Sequence, residues 1–412
     1  MKFKSFCKTT LTVVTVACMS TALNAQVSTG SKKQDVLHNK EGGEYNFTVV
    51  KDIEATEVQS QGRTGTCWSF SALSYFESEV MRMGNGKHIL SEMFIVRHTY
   101  MEKAEQYVRM HGSVNFGEGG AFHDVPHIIA KYGIVPESEY MGNIPGQEKR
   151  NHAELEAILK ATLDAIIENK SSKISPAWRG AINGILDAYL GELPKEFTYN
   201  GKKYTPKSYG NMLGLHMEDY IGLSSFTHHD FYDTFIIEVP DNWAWGEVYN
   251  LPIDEFVDAM DDAIKRDFSL AWASDVSEKG FSFRDGIAIV PAEGVNISKN
   301  GKDNKNFSDA GAKKESSAFD SPHDEKVITQ EMRQVAFDNF ETTDDHGMHI
   351  TGIVKDQNGT KYYIVKNSWG TDYNDCDGYF YASEAFVRYK TMDILIHKDA
   401  LTKKMKKKLN IK

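Results

Sequence analysis

The chain has 412 residues, which is enough for one large domain or two moderate ones with a substantial core. With 41% apolar and 25% charged residues, its composition is that of a soluble globular protein. The formal net charge of -11 argues against a general nucleic-acid binder, because such proteins bind by neutralising phosphates with positive charge.

Residues 1–25 have the pattern of an export signal. A basic start precedes a short apolar stretch, residues 11–19, that is too short to span a membrane as a permanent helix. Cleavage after Ala25 is the preferred interpretation, and the alternative is a lipoprotein signal in which Cys18 carries the lipid. In either case we expect an exported protein, periplasmic or extracellular, without a transmembrane span. The next residues, 26–50, are polar and predict an N-terminal arm or an edge segment.

Cysteine usage favours catalysis over cross-linking. After cleavage at Ala25 only Cys67 and Cys376 remain, and an exported protein of this size with two cysteines is not held by a disulfide framework. A bond between these two cysteines stays open as an alternative, and it would block any chemistry at Cys67.

Cys67 begins a predicted helix. Apolar residues recur at helical spacing after it, and Gly84-Asn85-Gly86 is a helix C-terminal signal. A lone thiol therefore lies in the first turn, where free backbone N–H groups and the helix dipole should lower its pKa. A thiolate in that position is a nucleophile that needs a base. The alternative is an inert, buried cysteine at the start of a core helix.

Gly119 and Gly120 precede a predicted helix over residues 123–132. Because they carry no side chains, an extended peptide can approach and pair with their backbone. A plain turn before the helix is the simpler alternative when this segment is taken alone.

Two histidine pairs are candidate metal ligands. His123 and His127 stand four residues apart, but Pro126 lies between them and the sequence offers no obvious third ligand. The segment His228-His229-Asp230 is better interpreted as a polar surface or a helix cap. We therefore expect no metal site.

The middle of the chain is predicted to form helices first, and then strands followed by a polar loop. Amphipathic stripes predict a mostly helical segment at about 145–250, followed by one more helix over residues 253–267. Strands are predicted at 270–273 and 287–290. Residues 293–323 are polar and predict an exposed loop.

A second group of chemically active residues lies in the last third of the chain. His346 begins an apolar strand, Asn358-Gly359 is a strong hairpin turn signal, and the returning strand runs into Asn367. The hairpin brings His346 and Asn367 to one end, where the amide oxygen can accept from one imidazole nitrogen and leave the other for the thiol. Trp369 would shield that hydrogen bond from water. His349 has the opposite strand parity and should point away; a solvated surface hairpin is the alternative.

These residues together resemble the active-site pattern of the papain-like cysteine peptidases. In this chain Gln61 stands six residues before Cys67-Trp68, and His346 and Asn367-Ser368-Trp369-Gly370 lie near the end. The resemblance covers roughly residues 45–400. Thr64 replaces the first cysteine of the family's Cys-Gly-Ser-Cys pattern. His346 follows Cys67 at about twice the usual interval of roughly 130–150 residues.

Within that family the chain is similar to the bleomycin hydrolase and aminopeptidase C branch. The similarity lies in the long helical insertion, in the glycine pair, and in residues 131–136 and 248–252. It implies an α+β, two-lobed fold in which a helical lobe faces a mostly antiparallel β lobe across a cleft. The peptidase domain is placed at residues 51–400, with the insertion at about 145–250 and the exposed polar loop at about 293–323. Residues 401–412 form a basic C-terminal tail.

The resemblance also implies roles for single residues. Cys67 would attack the scissile carbonyl, His346 would form the ion pair and protonate the leaving amine, and Asn367 would orient His346. The side chain of Gln61 and the backbone N–H of Cys67 would form the oxyanion hole. Substrate binding is assigned to Gly119, Gly120 and Trp369. No cofactor is expected.

We therefore expect a thiol peptidase that hydrolyses peptide bonds through a Cys-His-Asn triad and an acyl-enzyme, most simply an aminopeptidase acting on peptide N-termini. The alternatives are a cysteine endopeptidase or amidase of the same fold, and a non-catalytic peptide-binding protein. The expected partners are peptide substrates and, by resemblance, copies of the chain in a homohexamer. Members of the branch limit cutting to the free amino end with a C-terminal tail that reaches into the cleft, but the Lys-rich residues 401–412 do not resemble that tail.

Overall fold

A mixed sheet of eleven strands organises the protein, and helices cover it. The computed structural model describes residues 37–147, 149–170, 173–300 and 313–412. The predicted export signal, residues 1–25, and the first part of the predicted arm lie outside the described residues.

In those ranges the α-helices are α1 (Cys67–Arg82), α2 (Glu92–Arg109), α3 (Asp124–Tyr132), α4 (Ala153–Ile167), α5 (Trp178–Leu190), α6 (Pro206–Leu213), α7 (Ile253–Lys265), α8 (Gln330–Asp338), α9 (Glu384–Lys390) and α10 (Lys403–Lys408). The strands are β1 (Thr48–Asp52), β2 (Phe197–Tyr199), β3 (Lys202–Tyr204), β4 (Tyr220–Ser224), β5 (Thr234–Ile236), β6 (Glu247–Asn250), β7 (Leu270–Ser274), β8 (Phe281–Ser282), β9 (Ile287–Ala288), β10 (Ser298–Asn300), β11 (Lys313–Glu315), β12 (His346–Lys355), β13 (Lys361–Lys366), β14 (Tyr379–Ser383) and β15 (Thr391–His397).

The large sheet has the strand order β5-β6-β4-β15-β7-β12-β13-β14-β9-β8, and β1 also pairs with β12. Most neighbours are antiparallel, and the β4–β6 and β9–β14 pairs are parallel. Helices α1 to α5 contribute to one apolar core on the sheet, and α7 and α9 contribute to a second. The expected α+β fold is confirmed.

Helix α1 begins at Cys67, as its sequence pattern predicts, and ends just before Gly84, whose φ of +79° stops the helix. Its inward face is fully buried at Leu73, Phe76 and Val80. The helix comes very close to β12 at Gly347, where an added Cβ would lie 2.7 Å from Oγ of Ser71. This glycine allows the first turn of α1 and the first residues of β12 to lie side by side.

Strands β12 and β13 form the predicted hairpin. Their register pairs His349 with Lys366 and Lys355 with Lys361. The turn contains Gly359 at a φ of +87°, a conformation that glycine adopts without strain. Asn367 follows β13 directly, so it lies at the same end of the hairpin as His346.

The segment at about 145–250 is only partly helical. Helices α4, α5 and α6 occupy its first part, and the small β2–β3 hairpin lies among them. Between residues 220 and 250 the segment forms strands and no helices, because β4 pairs with β15 and extends the large sheet through β6 and β5. Those backbone groups find their partners in distant strands, which local periodicity does not reveal.

The predicted N-terminal arm or edge segment and the predicted exposed polar loop both contribute residues to the core. In the described part of the N-terminal arm, Tyr45 and Phe47 are buried, and β1 pairs with β12. In the polar segment, Ala318 and Phe319 are buried against them in a third apolar cluster. A few apolar residues in a polar stretch are enough to anchor it, since each aromatic ring buries a large area.

The last residues pack on helix α7. Met405 and Leu409 are buried, and the ammonium of Lys408 lies 2.6 Å from the Glu255 carboxylate. The basic tail therefore has an apolar inner face. Among the described residues, none of the helices combines the length and apolar character that crossing a bilayer requires.

Candidate active site

The thiol of Cys67 lies at a cavity of about 280 Å³. The first turn of α1 lines one side of this cavity, and His346 and Gly347 at the start of β12 line another. Cys67 and Cys376 are both free thiols, so the alternative of a bond between them is not realised. The fold thus brings the predicted nucleophile and the predicted base to one cavity.

His346 and Asn367 meet at the open end of the hairpin, as predicted. Nε2 of His346 lies 2.7 Å from Oδ1 of Asn367, and both residues are buried. The backbone N–H of Ser368 also donates to that amide oxygen, at 2.8 Å, which fixes the orientation of the amide. The indole of Trp369 lies 4.7 Å from the imidazole and covers it. Nε2 is therefore engaged, and Nδ1 is the nitrogen left for the thiol.

Burial controls the ionisation of this pair. It raises the pKa of the Cys67 thiol to about 12, and the carboxylates of Asp344 and Asp241 act in the same direction. It lowers the pKa of His346 to about 4, although the hydrogen bond to Asn367 opposes the shift. The expectation that the helix N-terminus lowers the pKa of Cys67 is therefore wrong for the resting site, because burial outweighs the dipole. Burial therefore disfavours an isolated charge on either side chain.

Gln61 is fully buried beside the hairpin end. Its Nε2 donates to the carbonyl of Thr64 at 2.6 Å, its Oε1 accepts from the hydroxyl of Ser368 at 2.6 Å, and its backbone N–H donates to the Ser368 carbonyl. The amide is thus held on both sides. One Nε2 hydrogen remains beyond the bond to Thr64.

The glycine pair lies on the cavity wall and is covered by other groups. A Cβ on Gly119 would collide with the carboxylate of Asp241, and a Cβ on Gly120 would lie 2.8 Å from the indole of Trp68. The carbonyl of Gly119 accepts from the buried ammonium of Lys103. Within the described structure, the backbone N–H and C=O of Gly120 make no hydrogen bond, so this residue can pair with an extended ligand.

His123 lines the same cavity as Cys67 and His346, whereas His127, His228, His229 and His349 are not among its lining residues. His349 is buried and contacts Ser74, with 2.9 Å between Nδ1 and the hydroxyl. His127 pairs with Glu102 at 2.8 Å. His228 and His229 both contact Glu238 on the surface, whereas Asp230 is not part of that group.

Six carboxylates that line the cavity were not found from the sequence: Glu118, Glu156, Asp241, Asp344, Asp345 and Asp393. Asp344 stands two residues before His346, and that position is the one signal that would have identified it. Asp241 and Asp393 reach the cavity through long-range pairing, which the sequence pattern does not show.

Comparison with known proteins finds two cysteine peptidase family models, one matching the first part of the chain and one matching the last part. The family model described as papain family cysteine protease matches residues 46–177, and the model described as peptidase C1-like family matches residues 294–412. Aminopeptidase C of Listeria innocua serovar 6a is 24% identical over 399 residues, 86% of this chain and 83% of that protein. Aminopeptidase C of Streptococcus thermophilus is 23% identical, over 87% of this chain and 84% of that protein. Aminopeptidase W of Lactobacillus delbrueckii subsp. lactis is 24% identical, over 86% and 83%.

A solved structure has the same fold. The crystal structure of PepW from Lactobacillus rhamnosis HN001 is similar with a TM-score of 0.66 and 19% sequence identity, covering 88% of this chain and 84% of that one. The fold and the family matches together define a cysteine peptidase. The chain belongs to the papain-like peptidase C1 family, as a distant member of its aminopeptidase C-like branch.

Proposed function

We propose that this protein is a thiol aminopeptidase in which Cys67 is the nucleophile, His346 the acid and base, and Asn367 the residue that orients His346. One observation carries the proposal. Asn367 binds Nε2 of His346 at 2.7 Å, and His346 lines the same cavity as Cys67, so Nδ1 is the ring nitrogen that can exchange a proton with the sulfur.

The reaction then proceeds in two acyl-transfer steps. The sulfur proton moves to His346 as Sγ attacks the scissile carbonyl, and the new oxyanion accepts from the backbone N–H of Cys67 and from Gln61. His346 gives the proton to the leaving amine, and the C–N bond breaks to leave a thioester on Cys67. Water, deprotonated by His346, then attacks the thioester. The N-terminal residue that was held on Cys67 leaves as the free amino acid, and His346 returns the proton to the sulfur to restore the thiol.

The buried environment supports this sequence of proton transfers. Burial disfavours a charge on either side chain, so Cys67 and His346 are both neutral at rest. The ion pair forms when the proton moves from the sulfur to the imidazole. Trp369 covers the hydrogen bond between His346 and Asn367 and keeps water from competing for it. A protected hydrogen bond of this kind holds the imidazole in one orientation through both steps.

Two further observations support action at peptide N-termini. The similar proteins are named aminopeptidases. The loop that carries Asp241 lies against Gly119, next to the backbone of Gly120 on which an extended substrate would pair. A substrate that pairs with Gly120 would therefore place its first residues beside this loop.

The test compares matched peptides with free and acetylated amino ends under reducing conditions. Wild-type protein should cleave the free peptide and spare the acetylated one, and Cys67→Ala and His346→Ala should each abolish cleavage. Equal cleavage of both peptides would establish an endopeptidase and contradict the proposal. Cleavage of neither peptide would favour an amidase or a non-catalytic peptide-binding protein.

A further inference from the structure

Six acidic residues line the cavity at Cys67: Glu118, Glu156, Asp241, Asp344, Asp345 and Asp393. Asp344 and Asp393 line it together with Asp241, and the three are close enough to influence each other's ionisation and that of the thiol. Asp344 precedes the first residue of β12, and Asp393 lies on β15.

The sheet brings two of these carboxylates to the same place. Ser274 of β7 pairs with His346 on one side and with Thr391 on the other. The pairing of β15 with β7 is interrupted between Thr391 and Ile394, which is a bulge that re-aims the intervening side chains. Asp393 lies in that bulge, so its carboxylate reaches the cavity beside the start of β12.

Asp344 and Asp393 are half-buried and lack side-chain partners of the kind that the buried Glu77 has. Across the described residues neither side chain makes a hydrogen bond or an ion pair, and burial raises the pKa of both, that of Asp393 to about 7. By contrast, the buried Glu77 accepts from Thr56 and from a backbone N–H. A buried carboxylate without a partner is costly unless it is neutral or a cation approaches it.

The ammonium of Lys103 partly offsets the effect of burial on the pKa of Asp241, but in the described structure it forms no ion pair with any of the three aspartates. Lys103 is buried behind the glycine segment and donates to the carbonyls of Gly117 and Gly119. Asp241 accepts a hydrogen bond of 2.9 Å from the amide of Asn115, which is neutral. The carboxylates of Asp241, Asp344 and Asp393 therefore face the space that a substrate would occupy.

A short loop closes this side of the cavity. We call residues 237–246 the strap. Asn242 ties it to itself through the carbonyls of Ile237 and Gly246, both at 3.0 Å. Trp243 fastens it to α3 by donating to Asp124 at 2.9 Å. The strap therefore holds Asp241 firmly against the glycine pair.

We propose that Asp344 and Asp393, with Asp241 of the strap, bind a cationic amine of the peptide substrate within the cavity of Cys67. This inference rests on the proposed function, because it assigns the group that recognises the substrate of that same site. The amine can come from the free N-terminus or from a basic side chain. The free N-terminus is the amine that agrees with the proposed aminopeptidase function.

The test measures binding separately from catalysis. Calorimetry on Cys67→Ala protein uses three peptides: Leu-Ala-Ala-amide, its N-acetyl form, and N-acetyl-Arg-Ala-Ala-amide. We expect the free peptide to bind at least tenfold more tightly than its acetylated form. Adding Asp344→Asn or Asp393→Asn should remove most of that difference, whereas the control Asp258→Asn, an exposed residue on α7, should not. Tight binding of the acetyl-Arg peptide alone would assign the site to a basic side chain.

The outcome that overturns the inference is a preference for the free peptide that survives in the Asp344→Asn, Asp393→Asn and Asp241→Asn proteins. Thermal unfolding of each variant confirms folding, which the loss of an unpaired buried charge should not harm. Failure of the proposed function looks different, because wild-type protein would then cleave neither peptide, or would cleave both, whatever the three aspartates do to binding.

Discussion

The hydroxyl of Ser368 donates a hydrogen bond of 2.6 Å to Oε1 of Gln61. Ser368 directly follows Asn367, whose amide binds the imidazole of His346. One strand end therefore positions both the base and the side chain proposed for the oxyanion hole. Because Oε1 is engaged, the donor side of the Gln61 amide is fixed in direction.

Replacing Ser368 by alanine should lower kcat about tenfold and leave KM within about twofold. Loss of the hydroxyl lets the Gln61 amide rotate, which weakens a donor needed mainly in the transition state. Steady-state kinetics on a free-amino peptide measures both constants. Ser368→Thr keeps the hydroxyl and should restore most of kcat; equal losses in the alanine and threonine variants would refute the positioning role.

The reactivity of Cys67 should depend on His346. In a Cys376→Ser background, alkylation by iodoacetamide near pH 7 should slow at least tenfold in His346→Ala protein. The reason is that burial raises the pKa of Cys67 to about 12, and only proton transfer to His346 yields thiolate at neutral pH. In the variant, the rate should rise only toward alkaline pH. Undiminished alkylation at pH 7 would mean that the thiolate forms without the base.

Asn242→Ala should increase cleavage of acetylated peptides relative to free ones. The Asn242 side chain bonds to both ends of the strap, at Ile237 and Gly246, so its loss frees the loop that closes the cavity. A severalfold shift in the ratio of the two kcat/KM values is expected, with the free-peptide value changing less. Thr198→Ala, on the distant β2, is the matched control. An unchanged ratio would show that the strap does not limit the substrate.

Glu92→Gln should stabilise the protein at pH 8 but not at pH 5. Burial raises the pKa of Glu92 to about 8, and the nearby Glu77 and Glu137 add to the shift. Since the folded-state pKa exceeds the unfolded value near 4.5, Glu92 contributes stability at low pH that is lost as the pH rises toward 8. We expect Tm to rise by about 2 °C or more at pH 8. Exposed Glu168→Gln is the control, and a Tm gain independent of pH would contradict the assignment.

The sequence predicted the parts of the site that depend on local pattern. The start of α1 at Cys67 followed from helical spacing, and the meeting of His346 with Asn367 followed from the hairpin turn at Gly359. Short-range signals of this kind are encoded within one helix or one hairpin, so they can be interpreted without knowing the rest of the fold.

Features that depend on distant pairing escaped prediction. Asp241 lies against Gly119 only because the strap packs on α3, and Asp393 faces the cavity only because of a bulge between β15 and β7. The pKa of Cys67 was predicted in the wrong direction, because the helix N-terminus is visible in the sequence whereas the burial of the thiol is not. Export and assembly into a homohexamer stay predictions.

The two halves of the proposed site lie on opposite sides of the insertion. Cys67 is made early in synthesis, and His346 and Asn367 follow only in the last third of the chain. Their meeting depends on contacts between remote residues, such as the 3.0 Å hydrogen bond from Lys366 to Thr56. Contacts of this kind form after long loops have closed. A growing chain on the ribosome therefore carries the proposed nucleophile without the proposed base, and on this proposal proteolytic activity begins only when the C-terminal hairpin has docked.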